Sequence, residues 1–430
     1  MAMKDYQVTI VPQEGYYPNQ IAVKVMDYFD STLEHDFSGE TVLLKPSFVL
    51  PVDDERLTIA VDTNNAVIEG IARALSLRGA EKILIAEHRT IGPARYAFYT
   101  RGIKKNVKGI DNVKMCYLDE KKREEVQVED PFIDGHVIKY PKMLVDGTVD
   151  YFISLPKLKT NIFAGVTLSV KNNFGLISKK ERLKYHGEDL HANLADLELI
   201  RQPDLIITDA VIAGEGQGPE QPTPYRSEML VISENPLACD TTCCYLMGWD
   251  PKEVKHLEML HQRGIGPLDM EQIEVKNKEY LESKKKDFDR PDSKLEMTPR
   301  MKAFIGEEKA CQGGCIGMVR GILDSYALVD GWNSLGNLNI VVGDVELSEE
   351  EIAFLKENKK RTLIYGECAE KYKKLGTYFK GCPPDYTKSL LKIWLRGPLG
   401  MNPHLTFQYV SPFKYFRAWF LYILQRIFRF

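Results

Sequence analysis

From the start of the chain to about residue 290, short β-rich runs alternate with amphipathic stretches, and this alternation restricts the fold more than any other feature. The run ETVLLKPSFV reads as a buried strand ending at Lys45-Pro46. NNAVIEGIARALSLRG carries apolar residues at helical spacing and stops at a glycine. EKILIAE, DYFISLPKLK and QPDLIITDAV are further strands. Strand–helix–strand succession calls for an α/β fold with a largely parallel sheet. Ligands of such sheets bind at the carboxyl ends of the strands. Lys45-Pro46-Ser47, the run Pro156 to Thr160, and Asp209 all fall at those ends.

A charge-dense stretch over 273–300 reads as a boundary or exposed connection. A second, smaller α/β unit follows. LNIVVGD is a strand, LSEEEIAFLKENKK a helix with Ser348 as N-cap, and RTLIYGEC a strand. The expected organisation is an α/β domain over 1–290, a cysteine-containing α/β domain over 300–395, and an amphipathic tail helix over 405–430.

At 430 residues the chain has room for two to three domains at roughly 150 residues each. A formal net charge of −4 supplies no basic field for nucleic acid, so none is expected as a partner. The first residues lack an apolar stretch behind a basic start, which argues against a secretory signal. No apolar run approaches the roughly 20 residues a spanning helix needs. These features point to a cytoplasmic protein.

In a reducing cytosol the eight cysteines are thiols. Cys311, Cys315, Cys368 and Cys382 sit in Gly-rich turns, Cys368 just past a strand. Four thiolates complement either a [4Fe–4S] cluster or a structural zinc. One C-x3-C pair plus two distant single cysteines suits a cluster held between loops better than a zinc knuckle, and four incidental buried thiols are the bland alternative. Cys239 and Cys243, four apart on a helix beside Leu246 and Met247, read as core.

The G-x-C after a strand, followed by GCPP at 381–384, resembles the proximal-cluster pattern of hydrogenase small subunits and the related quinone-reductase subunit. That resemblance implies a [4Fe–4S] cluster on Cys311, Cys315, Cys368 and Cys382. A second resemblance covers about residues 35–270. LPKLKTNIFAGVTLSVKNNFGLI and ISENPLACDTTCCYLMGWDP carry, in order, motifs similar to those of the domain-of-unknown-function 362 family. Its members are often joined to iron–sulfur domains. Asn161 stands where many members carry histidine.

Lys45, Lys157, Lys159 and Lys171 converge on strand ends or Gly-flanked turns, where they would form a positive site suited to a carboxylate or phosphate; the bland reading is that each is solvated. Asn172 and Asn173 can orient a polar ligand through their amides. His186 and His191, near Glu188 and Asp189, suit proton transfer. Asp209, Glu215 and Asp240 are candidate acids, Asp240 alternatively a helix cap. GEGQG at 214–218 lacks phosphate-loop spacing and reads as a flexible loop bordering the site.

The tail SPFKYFRAWFLYILQRIFRF projects Phe413, Phe416, Trp419, Phe420, Ile423, Leu424, Ile427 and Phe430 onto one helical face, with Lys414, Arg417, Arg426 and Arg429 opposite. An aromatic-and-basic helix matches a membrane-surface anchor, which would place the protein peripherally on the inner face, or a docking helix for a partner. The leading expectation is an iron–sulfur oxidoreductase or electron carrier. It would pass single electrons between a partner redox protein and an anionic small molecule held by the first domain. The alternatives are a non-redox ligand-binding protein or enzyme with zinc, and a membrane-recruited assembly factor for a redox complex.

Overall fold

In a computed structural model the described residues are 6–49, 52, 54–88, 92–186, 190–306, 312–330, 335–385, 388–389, 392–393 and 412–428. The first unit contains strands β1 (Tyr6–Pro12), β2 (Thr41–Pro46), β3 (Lys82–Glu87), β4 (Val113–Tyr117), β5 (Arg123–Gln127) and β6 (Val137–Pro141). It continues with β7 (Tyr151–Leu155), β8 (Lys157–Asn161), β9 (Gly165–Thr167), β10 (Leu205–Gln217), β11 (Gln221–Tyr225), β12 (Met229–Ser233) and β13 (Ile273–Lys276). The main sheet runs β13-β1-β12-β10-β7-β2-β3-β4. From β10 to β4 every pairing is parallel, while β12 runs antiparallel to both of its neighbours. The expected α/β fold with a largely parallel sheet is present.

Strand side chains alternate between two layers, as a period of two requires. Val42, Leu44, Ile83, Ile85, Ile153 and Leu155 bury one way, with the helices Pro18–Tyr28 and Asn65–Leu77. Leu43, Leu84 and Phe152 bury the other way, with Leu190–Ile200 and Pro236–Leu246. Helices on both faces explain why these strands read as continuous apolar runs. Cys239, Cys243 and Cys244 lie fully buried in this second layer, as core.

The second unit has its own parallel sheet of β14 (Lys302–Ile305), β15 (Asn339–Val342), β16 (Thr362–Tyr365) and β17 (Thr377–Phe379). The helix Gly317–Asp330 covers one face through Val319, Ile322 and Leu323; Glu349–Glu357 covers the other through Leu355. Ser348 caps the latter in a reciprocal capping box with Glu351.

Three segments depart from expectation. DYFISLPKLK is two strands, not one: Pro156 ends β7, and its carbonyl accepts the Asp209 amide as β8 begins beside β10. GEGQG is not a flexible loop, because β10 continues to Gln217 and folds back on β11 as a hairpin. The 273–300 stretch is more than a connection: β13 pairs with β1, and Lys284 and Lys286 ion-pair with Glu228 and Glu215. Glu215 therefore anchors the start of the connection.

The lysines of β8 are not solvated. Lys157 Nζ donates to Asp209 Oδ2 at 3.0 Å and to the Tyr16 hydroxyl at 2.8 Å, with both charged groups fully buried. Asp209 also accepts from the Asn64 and Val211 amides. This network ties β8, β10 and the N-terminal segment together. Removing one partner of a buried ion pair leaves the other charge unpaired and costs about 3–5 kcal/mol. We expect Asp209→Ala to lose stability on that scale in denaturant unfolding, and more than Asp209→Ala combined with Lys157→Met.

Candidate functional site

The carboxyl ends of β2 and β3, the β8–β9 turn and the segment after it surround a cavity of about 220 Å³. Lys45, Glu87, Lys171, Asn172, Arg182 and His186 line it, with Phe48, Phe163 and Phe174 as apolar wall. Its far side belongs to the second unit: Met318, Gly321 and Asp324 of the Gly317–Asp330 helix. The cavity therefore lies between the two sheets, at the helix that starts two residues after Cys315.

Lys45 is fully committed. Its Nζ donates to Glu87 Oε2 at 2.7 Å, to the Pro46 carbonyl at 2.7 Å and to Asn172 Oδ1 at 3.2 Å. Burial presses both members of the pair toward their neutral forms, lowering Lys45 and raising Glu87. The Asn172 amide returns hydrogen bonds to the Lys45 carbonyl and Ser154 Oγ, both at 3.0 Å. Gly175 packs over the pair, and a Cβ there would sit 2.7 Å from Lys45 Nζ. Lys-Asn-x-x-Gly, at 171–175, thus presents one lysine, clamps another and closes over it.

Lys159 donates to the Val61 carbonyl, and burial lowers its amine to about 8, with Asp62 opposing. Lys171 differs from the other three. Among the described residues it has no hydrogen-bond acceptor and no carboxylate partner; its Nζ lies 4.4 Å from the centre of the Phe174 ring. Burial, followed by the Arg182, Lys159 and Lys45 charges, lowers its amine to about 7.

His186 stands edge-on to Phe163 and Phe174. Its Nδ1 donates to the Arg182 carbonyl at 2.6 Å, which leaves Nε2 as an acceptor. Burial and the Lys171 charge lower its pKa to about 3, so the ring is neutral. Arg182 approaches His88 Nδ1 at 3.5 Å.

Other candidates lie elsewhere. Asp240 sits within Pro236–Leu246 and does not cap that helix, whose cap is Asn235; it accepts the Ser169 and Val170 amides at the start of the helix Ser169–Asn172. Burial raises it to about 7. His191 stacks on His256, and Asn173 donates to the buried Glu198. Neither Lys157, Lys159, Asp209 nor Asp240 lines the cavity. Glu188 and Asp189 fall outside the described residues.

Sequence reasoning missed Glu87, Arg182 and the three phenylalanines. Glu87 was detectable as the acidic end of an otherwise apolar buried strand. Nothing local separates Arg182 from its neighbours in KKERLK.

At the second sheet, Cys315 Sγ lies against Gly366, where a Cβ would come within 2.8 Å of the sulfur. The Gly366 and Glu367 amides donate to Phe379 and Gly381. Cys368 and Cys382 thus leave from adjoining strand ends, the former half-buried and the latter exposed. Among the described residues no group of three or more His, Cys, Asp and Glu side chains is arranged to hold a metal ion. Cys311 lies outside the described residues.

A parallel sheet covered on both faces, with buried lysines at its carboxyl edge and a cleft above them, defines an α/β domain with a strand-end polar site. Residues 42–245 match the family model described as Domain of unknown function (DUF362). Thylakoid-associated protein sll1697 of Synechocystis sp. is 26% identical over 235 residues, covering 53% of this chain and 70% of that protein. A crystal structure of a Thermotoga maritima protein aligns over 79% of this chain and 76% of its own at 14% identity, with a TM-score of 0.35.

The Lys171 amine titrates near 7 in the folded state and near 10.4 when unfolded. Over that interval the unfolded chain holds the extra proton, so stability rises with pH and is lost as pH falls toward 7. We expect Lys171→Met to flatten that rise in unfolding measured between about pH 7 and 10.

Proposed function

We propose that the chain is a redox protein that binds a small carboxylate-bearing molecule in the cavity between its two sheets. The observation that carries this reading is Lys171: a cavity-facing amine with no anionic partner among the described residues, beside Arg182. An anion entering there would meet positive charge that the fold leaves uncompensated.

Electrons would come from an iron–sulfur cluster on Cys311, Cys315, Cys368 and Cys382, itself reduced by a partner redox protein. Thiolates from separate loops are the right donor class, and the missing side chain at Gly366 lets the Cys315 sulfur lie against the backbone that leads to Cys368. Cys315, Cys368 and Cys382 form no metal-holding group as they stand, so the reading requires their loops to close around the cluster together with Cys311. Such a cluster supplies single electrons. The chain's own residues bind and orient: Lys171 and Arg182 take the carboxylate, and the phenylalanines exclude water. Met318, which lines the cavity, follows Cys315 by three residues in the chain, which would put the cluster's ligand loop near the bound molecule. Anaerobically purified protein should contain roughly four irons and four sulfides per chain and lose both in Cys382→Ser. One zinc and no sulfide would instead establish the structural-metal alternative.

We also propose that the tail attaches the protein to a membrane surface. The helix Pro412–Phe428 packs Tyr415, Ala418 and Tyr422 inward, Tyr415 edge-on to Tyr96 at 5.2 Å. Phe413, Phe416, Phe420, Ile423 and Ile427 face out, with Phe413 76% and Phe416 70% exposed. Among the described residues no helix is long and apolar enough to cross a membrane. An outward apolar stripe on a helix with basic and no acidic side chains fits an interfacial anchor, in line with the thylakoid association that names the Synechocystis relative. The protein should co-float with vesicles containing anionic lipid, and Phe416→Ser with Phe420→Ser should leave it in the soluble fraction.

A further inference from the structure

We propose that Lys171 captures the carbonyl of a short 2-oxo acid as an imine. This deepens the carboxylate-binding reading and rests on it. The cavity contains a nucleophile, a cationic neighbour and an apolar wall, and the three features together select the ligand.

The nucleophile is unengaged. Lys45, Lys157 and Lys159 each spend Nζ on an oxygen, whereas Lys171 Nζ meets only the Phe174 ring among the described residues. An amine desolvated in an apolar pocket beside other cations is the arrangement that makes lysine a nucleophile toward carbonyls. At pH 7 an ordinary lysine is neutral in roughly one molecule in 2,500, against about half for an amine titrating near 7.

The step balances without an oxidant or reductant. The neutral Nζ lone pair adds to the carbonyl carbon, giving a carbinolamine. Its hydroxyl leaves as water with the second amine proton, a C=N bond replaces C=O, and the imine nitrogen takes a proton from solvent. Neutral His186, with Nδ1 tied to the Arg182 carbonyl, offers Nε2 as an acceptor for the carbinolamine hydroxyl. The positive surroundings that disfavour an ammonium at Lys171, Arg182 foremost, favour the carboxylate next to the carbonyl. The volume of about 220 Å³ and the walls Phe48, Phe163 and Phe174 set a limit of a few carbons with an apolar substituent.

The full chain is incubated with pyruvate and cyanoborohydride at pH 7.5, then digested and mapped by mass spectrometry. A carboxyethyl group should appear on Lys171 about a hundredfold faster than on exposed lysines. Its rate should rise between pH 6 and 8 as the amine loses its proton. Lys171→Arg, checked for an unchanged thermal melt, should lose the rapid adduct. Calorimetry with L-lactate, which has the carboxylate but no carbonyl, separates the two readings. Lactate binding without rapid Lys171 trapping overturns the imine and leaves the carboxylate site standing. Neither lactate binding nor trapping overturns both, and adducts spread evenly over surface lysines also refute the imine.

Discussion

Positive charge taken out of water at the edge of a parallel sheet is the constraint around which this protein is organised. Burying an ammonium is tolerable only when an oxygen replaces its hydration. Three lysines obey: Lys45 through Glu87 and Asn172, Lys157 through Asp209 and Tyr16, Lys159 through the Val61 carbonyl. Each bond also joins separate segments, so the same pairs that satisfy the charges fix β2, β3, β8 and β10 against one another. Lys171 differs: it is half-buried, faces the cavity with no oxygen partner among the described residues, and has the charges of Arg182 and two other lysines around it. An unsatisfied polar group among satisfied ones is where a ligand has most to contribute.

The second unit matters because it closes this site. Without the Gly317–Asp330 helix the cleft would open to solvent along the side now formed by Met318, Gly321 and Asp324. Asp324 is held by Arg320 at 2.8 Å, and Arg320 reaches back to Asp292 in the connection between units. One helix therefore links the cysteine-bearing loop, the connection and the cavity wall.

The sheet was legible because its signals are local. β2, β3 and the Asn65–Leu77 helix follow from apolar spacing and a stop signal, and the Ser348 cap from four consecutive residues. GEGQG misled because glycines mask a strand whose pairing with β11 is set by the hairpin. The lysines were recognised as a set, but their separate roles depend on side-chain partners 42 to 141 residues away, such as Glu87 for Lys45 and Tyr16 for Lys157. For the same reason Asp209 and Asp240, plausible acids in sequence, are a counterion and a cap in space. On the tail, the apolar face was apparent, whereas its outward orientation depends on which side docks on the helix Ala94–Arg101.

The uncompensated amine can be observed directly. Nuclear magnetic resonance of protein labelled with carbon-13 at lysine Cε, assigned by Lys171→Arg, follows the titration of that single side chain. A midpoint near pH 7, shifting upward when a carboxylate ligand is added, is the result this account requires. A midpoint with the bulk of the lysines near pH 10 would mean that Lys171 is hydrated like any surface amine, and the site built on it would not exist.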